Sequence, residues 1–272
     1  MKPPSISRFR VPPGRPLTLI KHDPDEKCAS GSKRDAQILL AELHQELNEL
    51  QEVLYAEGKQ SLLLVLQAMD TAGKDSTIRR IFGPLNPQGV RVNSFKVPSS
   101  KELAHDFLWR VHPHAPAKGM IQVFNRSHYE DVLVVKVHEL ASPKTIKARY
   151  AHINAFEKLL ADNGTAIVKV FLNISRAEQK ERLQERLDRP DKNWKFSGGD
   201  IDERALWPQY MKAYETAIRK TNTPHAPWYV VPANRKWSRD IIIANILLKT
   251  LRSMKCKFPP AEDGLDQIVI PD

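Results

Sequence analysis

The sequence predicts an α/β fold: one parallel sheet covered on both faces by helices, a three-layer α/β/α arrangement. Three observations carry that expectation. Short runs rich in Val, Ile and Leu alternate along the chain with helix-period segments, the order that builds parallel sheets. The run SLLLVLQAM, at 61–69, is almost continuously apolar, as a strand buried on both faces requires. That run leads through a small loop holding Gly73 and Lys74 directly into a helix-like segment.

The elements follow in order. Residues 1–30 are rich in proline and charge and read as an extended arm. Over 35–57, Leu39, Leu43, Leu47, Leu50 and Leu54 recur at three- and four-residue steps, giving a helix with one apolar face, and Gly58 is its stop. After the 61–69 strand, VRVNSF (90–95) reads as a strand, and 99–111 as a helix capped by Ser99 or Ser100. MIQVF (120–124) is a strand, 143–164 a helix stopped by Gly164, 165–175 a strand and 176–187 a helix. The polar, basic, glycine-containing stretch 188–201 reads as a mobile loop. A helix at 202–221, a short strand at 228–233 and a closing helix at 238–254 complete the alternation. The chain thus divides into the arm, a catalytic domain over 31–257 with a lid at about 182–205, and an extended tail, 258–272.

Composition bounds the function classes. With 272 residues and 41% hydrophobic content, the chain can bury a sizeable core. No apolar run approaches the ~20 residues that span a bilayer, so no membrane partner is expected. The start lacks a hydrophobic signal region. The two cysteines, Cys28 and Cys256, are far apart and in no metal-binding spacing. Both facts predict a cytoplasmic location. The net charge of +10 attracts polyanions, which include nucleic acid, anionic membrane and polyphosphate compounds, and does not choose between them.

The loop at 68–76, AMDTAGKDS, is the most informative stretch. In a phosphate-binding loop, backbone N–H groups converge on one concavity and the following helix adds the positive end of its dipole. The usual spelling is G-x-x-x-x-G-K-[S/T]. Here Ala68 replaces the first glycine and Asp75 follows Lys74, while Ala72, Gly73, Lys74 and Ser76 supply the rest of the cradle. Asp70 is the oddity, because a carboxylate ~4 Å from a phosphate charge costs on the order of 4 kcal/mol at an effective dielectric of about 20. A magnesium ion removes that repulsion by taking carboxylate and phosphate oxygens together. Asp70 therefore reads as a metal ligand or as a base orienting an acceptor phosphate, with capping of the following helix as the structural alternative. No role for Asp75 follows from the sequence.

The strand at 120–124 ends in Asn125 and Arg126. In many phosphate-loop enzymes an aspartate at this strand end helps to hold magnesium. Asn125 is a weaker, neutral ligand, and the planar fork of Arg126 suits phosphate. His128 reads as a hydrogen-bonded structural histidine. Around the irregular segment, Arg182, Arg186, Arg189, Lys192 and Lys195 cluster, and a loop closing over phosphates needs such mobile positive groups.

Taken together, these segments resemble the polyphosphate kinase type 2 family, in particular its members that act on both AMP and ADP. The resemblance rests on LQAMDTAGKDSTIR, on the long stretch from GVRVNSFKVPSSKEL through NRSHYEDVLVVKV, on QKERLQERLDRPDKNWKFS, on DERALWPQYMKAYETAI and on APWYVVPANRKW. It implies a phosphate-loop (P-loop) kinase-like fold with a helical lid. It also implies reversible, magnesium-dependent transfer of the terminal phosphate of inorganic polyphosphate to AMP or ADP, and homo-oligomers. By the same resemblance Asp70, Lys74 and Arg126 are the catalytic set, with Asp70, and with it Asn125, as the metal ligand. Arg182, Arg186, Lys192 and Lys195 are the lid and polyphosphate residues. An ATP-dependent nucleotide kinase of the same fold is the alternative. A non-catalytic nucleic-acid binder leaves the 68–77 loop unexplained, so no nucleic-acid partner is expected.

Overall fold

Five strands form one parallel sheet among the residues described by the structure, a computed structural model covering 5–28, 33–265 and 268–271. They are β1 (Ser61–Ala68), β2 (Val90–Ser94), β3 (Ile121–Asn125), β4 (Thr165–Asn173) and β5 (Trp228–Pro232). Their spatial order is β2-β3-β1-β4-β5. All eight residues of β1 are buried, as a central strand covered on both faces demands. From β1 the chain builds β2 and β3 on one side, then β4 and β5 on the other. Ligands in such sheets bind outside the carboxyl ends of the strands, where the winding reverses. Register brings the relevant ends together, since Leu66 of β1 lies opposite Asn125 of β3, which in turn lies opposite Ser94 of β2.

The helices are α1 (Lys33–Glu57), α2 (Lys74–Phe82), α3 (Ser100–Leu103), α4 (Val134–Val137), α5 (Pro143–Asp162), α6 (Arg176–Asp188), α7 (Gly199–Ala205), α8 (Trp207–Thr221) and α9 (Lys236–Met254). Helices α1 and α2 pack on α9, whereas α4 and α5 pack on α8. Strand β4 touches both α5 and α9, which makes the three layers. The described part of the arm, 5–28, carries two 3-10 turns, Ser7–Phe9 and Leu19–Lys21, and packs on the sheet. Val11 N–H donates to Trp228 O at 2.9 Å, Arg10 bridges to Tyr229, and Phe9, Val11 and Leu19 are buried. The arm thereby covers the β5 edge, which would otherwise offer unpaired backbone groups.

Three expectations need correction. The helix read at 99–111 is a single turn, α3. Ser99 and Glu102 cap it reciprocally, but Asp106 Oδ1 then accepts from Leu108 N–H at 2.9 Å and starts a separate turn that competes with the helix. The stretch 188–201 is not an irregular loop but folds back on α6 and ends in the start of α7. A 3-10 helix, Pro190–Lys195, is tied to α6 by Asn193 Nδ2, which donates to the carbonyls of Arg186 and Leu187 at 2.7 and 2.9 Å. The helix read at 202–221 is two helices, α7 and α8, broken at Leu206 with Pro208 in the first turn of α8. No helix among the described residues is long and apolar enough to cross a membrane.

One buried polar network supports the segment after β3. Lys169 Nζ, fully buried on β4, donates to Glu157 Oε2 at 2.5 Å, Tyr129 Oη at 2.9 Å and the Thr221 carbonyl at 2.6 Å. Tyr129 Oη donates to Glu157 Oε1 at 2.8 Å, and His128 Nε2 lies 3.4 Å from the same oxygen. His128 is thus placed as a core histidine. Lys169→Met strands the Glu157 charge, so it should destabilise the fold by about 3–5 kcal/mol in a denaturant titration. Burial depresses the His128 imidazole, with Glu157 opposing. The folded chain then refuses a proton that the unfolded chain accepts below the ordinary value of 6.5, so stability is present above that value and falls as pH drops through it. The melting temperature should fall between about pH 7 and pH 5, and fall less in His128→Gln, which cannot titrate.

Candidate active site

The loop between β1 and α2 is held by backbone strain and by one glycine. Thr71 has φ 64° and Arg126 φ 61°, both left-handed, a conformation that non-glycine residues adopt only when the surroundings enforce it. Gly73 is the N-cap of α2 with φ 106°, and a Cβ there would meet a guanidinium nitrogen of Arg239 at 2.0 Å. No side chain caps α2. The Asp70 carboxylate instead accepts from Arg126 Nη2 at 2.6 Å, so helix capping is not what it does.

The charges here are set by their neighbours. Burial raises the Asp70 carboxyl, but the positive charges of Lys74 and Arg126 outweigh it and hold the group below the usual carboxylate value. Burial lowers the Lys74 ammonium against the pull of Asp70, and its Nζ donates to the Ala68 carbonyl at 3.1 Å. For Arg126, burial is outweighed by Glu130 and Asp70, so the guanidinium is held more firmly charged. Burial raises the Glu130 carboxyl, with Arg126 opposing.

Asp75 acquires a partner that spacing could not reveal. Asn125 Nδ2 donates to Asp75 Oδ1 at 2.6 Å and lies 3.3 Å from Ser94 Oγ. An amide suits this place because an aspartate at 125 would face Asp75 as a like charge. The pair ties the end of β3 to the first turn of α2.

The residues expected to form a lid divide into two kinds. Arg186 donates to the Lys195 carbonyl at 2.9 Å and to Asp200 at 3.0 Å, Lys192 pairs with Glu185, and Lys195 lies over the Trp194 ring. These three line a cleft of about 600 Å³ together with Asp70, Gly73, Lys74, Asp75, Ser76, Asn125 and Arg126. Arg182 also borders the cleft, yet it is buried and committed. Its Nε donates to Glu178 and its two Nη groups to the carbonyls of Thr71, Ala72, Ala233 and Asn234. Lys96 and Lys236 line the cleft as well and were not singled out in the sequence. Lys96 follows the carboxyl end of β2, a position that the strand-end rule could have flagged. Lys236 opens α9, two residues before the helix start read from the sequence. Eight cationic side chains face three anionic ones across this cleft.

Comparison with known proteins decides the family. The family model for Polyphosphate kinase 2 (PPK2) matches residues 30–259. The chain belongs to the polyphosphate kinase 2 family. Among curated relatives, the AMP/ADP-polyphosphate phosphotransferase of Meiothermus ruber is 52% identical over 266 residues, covering 97% of this chain and 100% of that protein. The ADP-polyphosphate phosphotransferase of Rhodopseudomonas palustris is 41% identical over 264 residues, covering 93% and 91%. Among solved structures, Polyphosphate Kinase 2 from Arthrobacter aurescens TC1 superposes with a TM-score of 0.93 at 47% identity, over 96% of this chain and 93% of that one. This polyphosphate kinase 2 member therefore has its resemblance and its parallel α/β fold established together, and the cleft is where its chemistry is to be sought.

Proposed function

We propose that this chain transfers the terminal phosphoryl group of inorganic polyphosphate to AMP and ADP, giving ADP and ATP, and runs the reaction in reverse. The cleft carries the reading: its excess of cations runs from Lys74 at the loop to Lys195 and to Lys236 at the start of α9, which suits an extended polyanion. The near-complete alignment with the Meiothermus ruber phosphotransferase supports the two acceptors.

In this proposal the bond from the terminal phosphorus to its bridging oxygen breaks, and an acceptor phosphate oxygen forms the new one. That oxygen is already anionic, so no base is required and catalysis is alignment and charge neutralisation. Lys74 and Arg126 neutralise the transferring group. Asp70 aims Arg126 through their 2.6 Å contact. Arg186, Lys192 and Lys195 close over the donor and exclude water. Ala72, Gly73 and Ser76 form the cradle, and Asn125 with Asp75 fixes its far wall. Arg182 supports the loop from behind rather than contacting the donor.

The donor set fits magnesium. Among the described residues no cluster of three His, Cys, Asp or Glu side chains could hold a metal alone. Magnesium takes one or two protein oxygens plus substrate phosphates. Asp70 would hold it, with the Asn125 amide oxygen beside it. When bound, the ion would lower the charge of the phosphates that Asp70 would otherwise repel. Homo-oligomeric assembly and a cytoplasmic setting belong to the same proposal, as do the absence of nucleic-acid and membrane partners; they rest on the family resemblance, the cysteine usage and the lack of a long apolar segment.

The test is donor choice. Given polyphosphate as sole donor, AMP should become ADP and then ATP. Turnover with ATP as donor and none with polyphosphate would contradict the proposal and support an ATP-dependent nucleotide kinase. The KM for long polyphosphate should also rise when ionic strength is raised from about 0.01 M to about 0.15 M, as the screening length falls from about 30 to about 8 Å.

A further inference from the structure

Three successive carbonyls of the loop are gripped from behind. The Asp70 carbonyl accepts from Gln179 Nε2 at 3.1 Å. The Thr71 carbonyl accepts from Arg182 Nη1 at 3.1 Å. The Ala72 carbonyl accepts from two guanidinium groups, Arg182 Nη1 at 3.1 Å and Arg239 Nη1 at 3.2 Å. In a planar trans peptide the carbonyl and the following N–H point in opposite directions. Fixing these carbonyls therefore fixes the N–H groups of Thr71, Ala72 and Gly73 toward the other side. Ala72 N–H is taken up by the Met69 carbonyl at 3.3 Å, whereas Thr71 and Gly73 both line the cleft, and their N–H groups lie on the side opposite to the held carbonyls.

Arg239 is the unexpected member. It is fully buried on α9, a helix otherwise dominated by isoleucine and leucine in that region, where packing alone would select an apolar side chain. Asp240 Oδ1 accepts from its Nε at 2.9 Å and its Nη2 at 2.7 Å, and Nη2 also reaches Ser76 Oγ at 3.2 Å. Asp240 in turn lies 3.7 Å from Arg80 of α2. The guanidinium occupies the space that a Cβ at position 73 would need.

We propose that Arg239, oriented by Asp240, is a positioning residue for phosphoryl transfer: with Arg182 and Gln179 it holds the loop peptides so that Gly73 N–H faces the donor phosphate. This rests on the reading of the loop as the donor-phosphate site, and the experiment separates the two.

The pair variant Arg239→Met with Asp240→Asn removes the guanidinium without leaving its buried partner charged. Binding of inorganic tripolyphosphate is measured by calorimetry on the full chain, beside kcat and KM, with circular dichroism as the check on folding. The expected result is a loss of about tenfold or more in tripolyphosphate affinity and about 100-fold in kcat. The KM for AMP should stay within about threefold, because Arg239 does not line the cleft and so makes no contact with the acceptor. Arg239→Lys keeps the charge and loses the planar fork, so it should not restore kcat. Unchanged tripolyphosphate affinity in the pair variant, or a kcat restored by Arg239→Lys, would overturn the proposal. Where the pair variant does not fold, the unaltered protein decides: on adding tripolyphosphate, the Gly73 amide proton should shift downfield in a nitrogen–proton correlation spectrum, and a stationary Gly73 signal would overturn it. Lys74→Ala distinguishes the failures. If Lys74→Ala also binds tripolyphosphate normally, the loop is not the donor site; if only Lys74→Ala is impaired, Arg239 does not position it.

Discussion

Lys74→Ala should lower kcat by about a thousandfold, the loss expected when a preorganised charge aimed at the transferring group is removed. Lys74 is nearly buried at the start of α2 and lies within the fields of Asp70, Arg126, Glu130 and Asp75. Among the described residues only the Ala68 carbonyl accepts a bond from its ammonium, so the fold loses little. The melting temperature should change by no more than about 4 °C, the shift that about 1 kcal/mol produces in a chain of this size. Both readings come from one preparation: turnover by a coupled ATP assay and unfolding by calorimetry. Near-parental turnover in a folded Lys74→Ala protein would remove the loop from the mechanism.

The second large effect is expected at Asp70→Asn. The substitution keeps the shape of the side chain and removes its charge, so Arg126 Nη2 loses the ionised partner that now sits at 2.6 Å. We expect kcat to fall by about 100-fold or more, because a misaimed guanidinium no longer meets the developing charge. The magnesium concentration giving half-maximal rate should rise as well, since the variant offers a neutral oxygen where the parent offers a carboxylate. The pH profile supplies an independent check. The folded carboxyl of Asp70 lies below its ordinary value, because Lys74 and Arg126 overcome the effect of burial. Its ionised form is therefore present at neutrality and is lost only as pH falls through that depressed value. Loss of parental activity between pH 7 and pH 5 should then persist unchanged in Asp70→Asn, whose residual rate depends on other groups. A near-normal rate in Asp70→Asn would exclude both the metal role and the aiming role.

Local order in the sequence carried the centre of the molecule. A run as apolar as 62–66 suits a strand buried on both faces, and the loop after it was recognisable from Gly73 and Lys74 despite Ala68 and Asp75. Asn125 and Arg126 were legible because strand ends in parallel sheets face the ligand. What escaped was set by contacts between distant residues. Asp75 had no derivable role until Asn125, fifty positions away, was seen to donate to it. Arg182 shares a helical face with Arg186, and the family resemblance assigned both to the lid, yet Arg182 is buried and spent on carbonyls of the loop. Arg239 was hidden inside a helix read only as the closing apolar element, although an Arg–Asp pair within SRDIIIANILL was itself a sign of a buried polar contact. The overlong helix at 99–111 failed because Asp106 offered the backbone an alternative turn that periodicity does not register.

Together these residues form a strained loop held by side chains of α6 and α9 at a cation-rich cleft. On the proposed function, that cleft passes phosphoryl groups from an inorganic chain to a nucleotide in two successive steps. The most direct measurement is phosphorus NMR of the purified protein with AMP, polyphosphate and magnesium, and no other nucleotide. The expected result is the appearance of ADP resonances followed by those of ATP, while the internal polyphosphate signal declines. A spectrum in which polyphosphate and AMP persist unchanged, from a protein that does phosphorylate AMP when ATP is supplied, would contradict it.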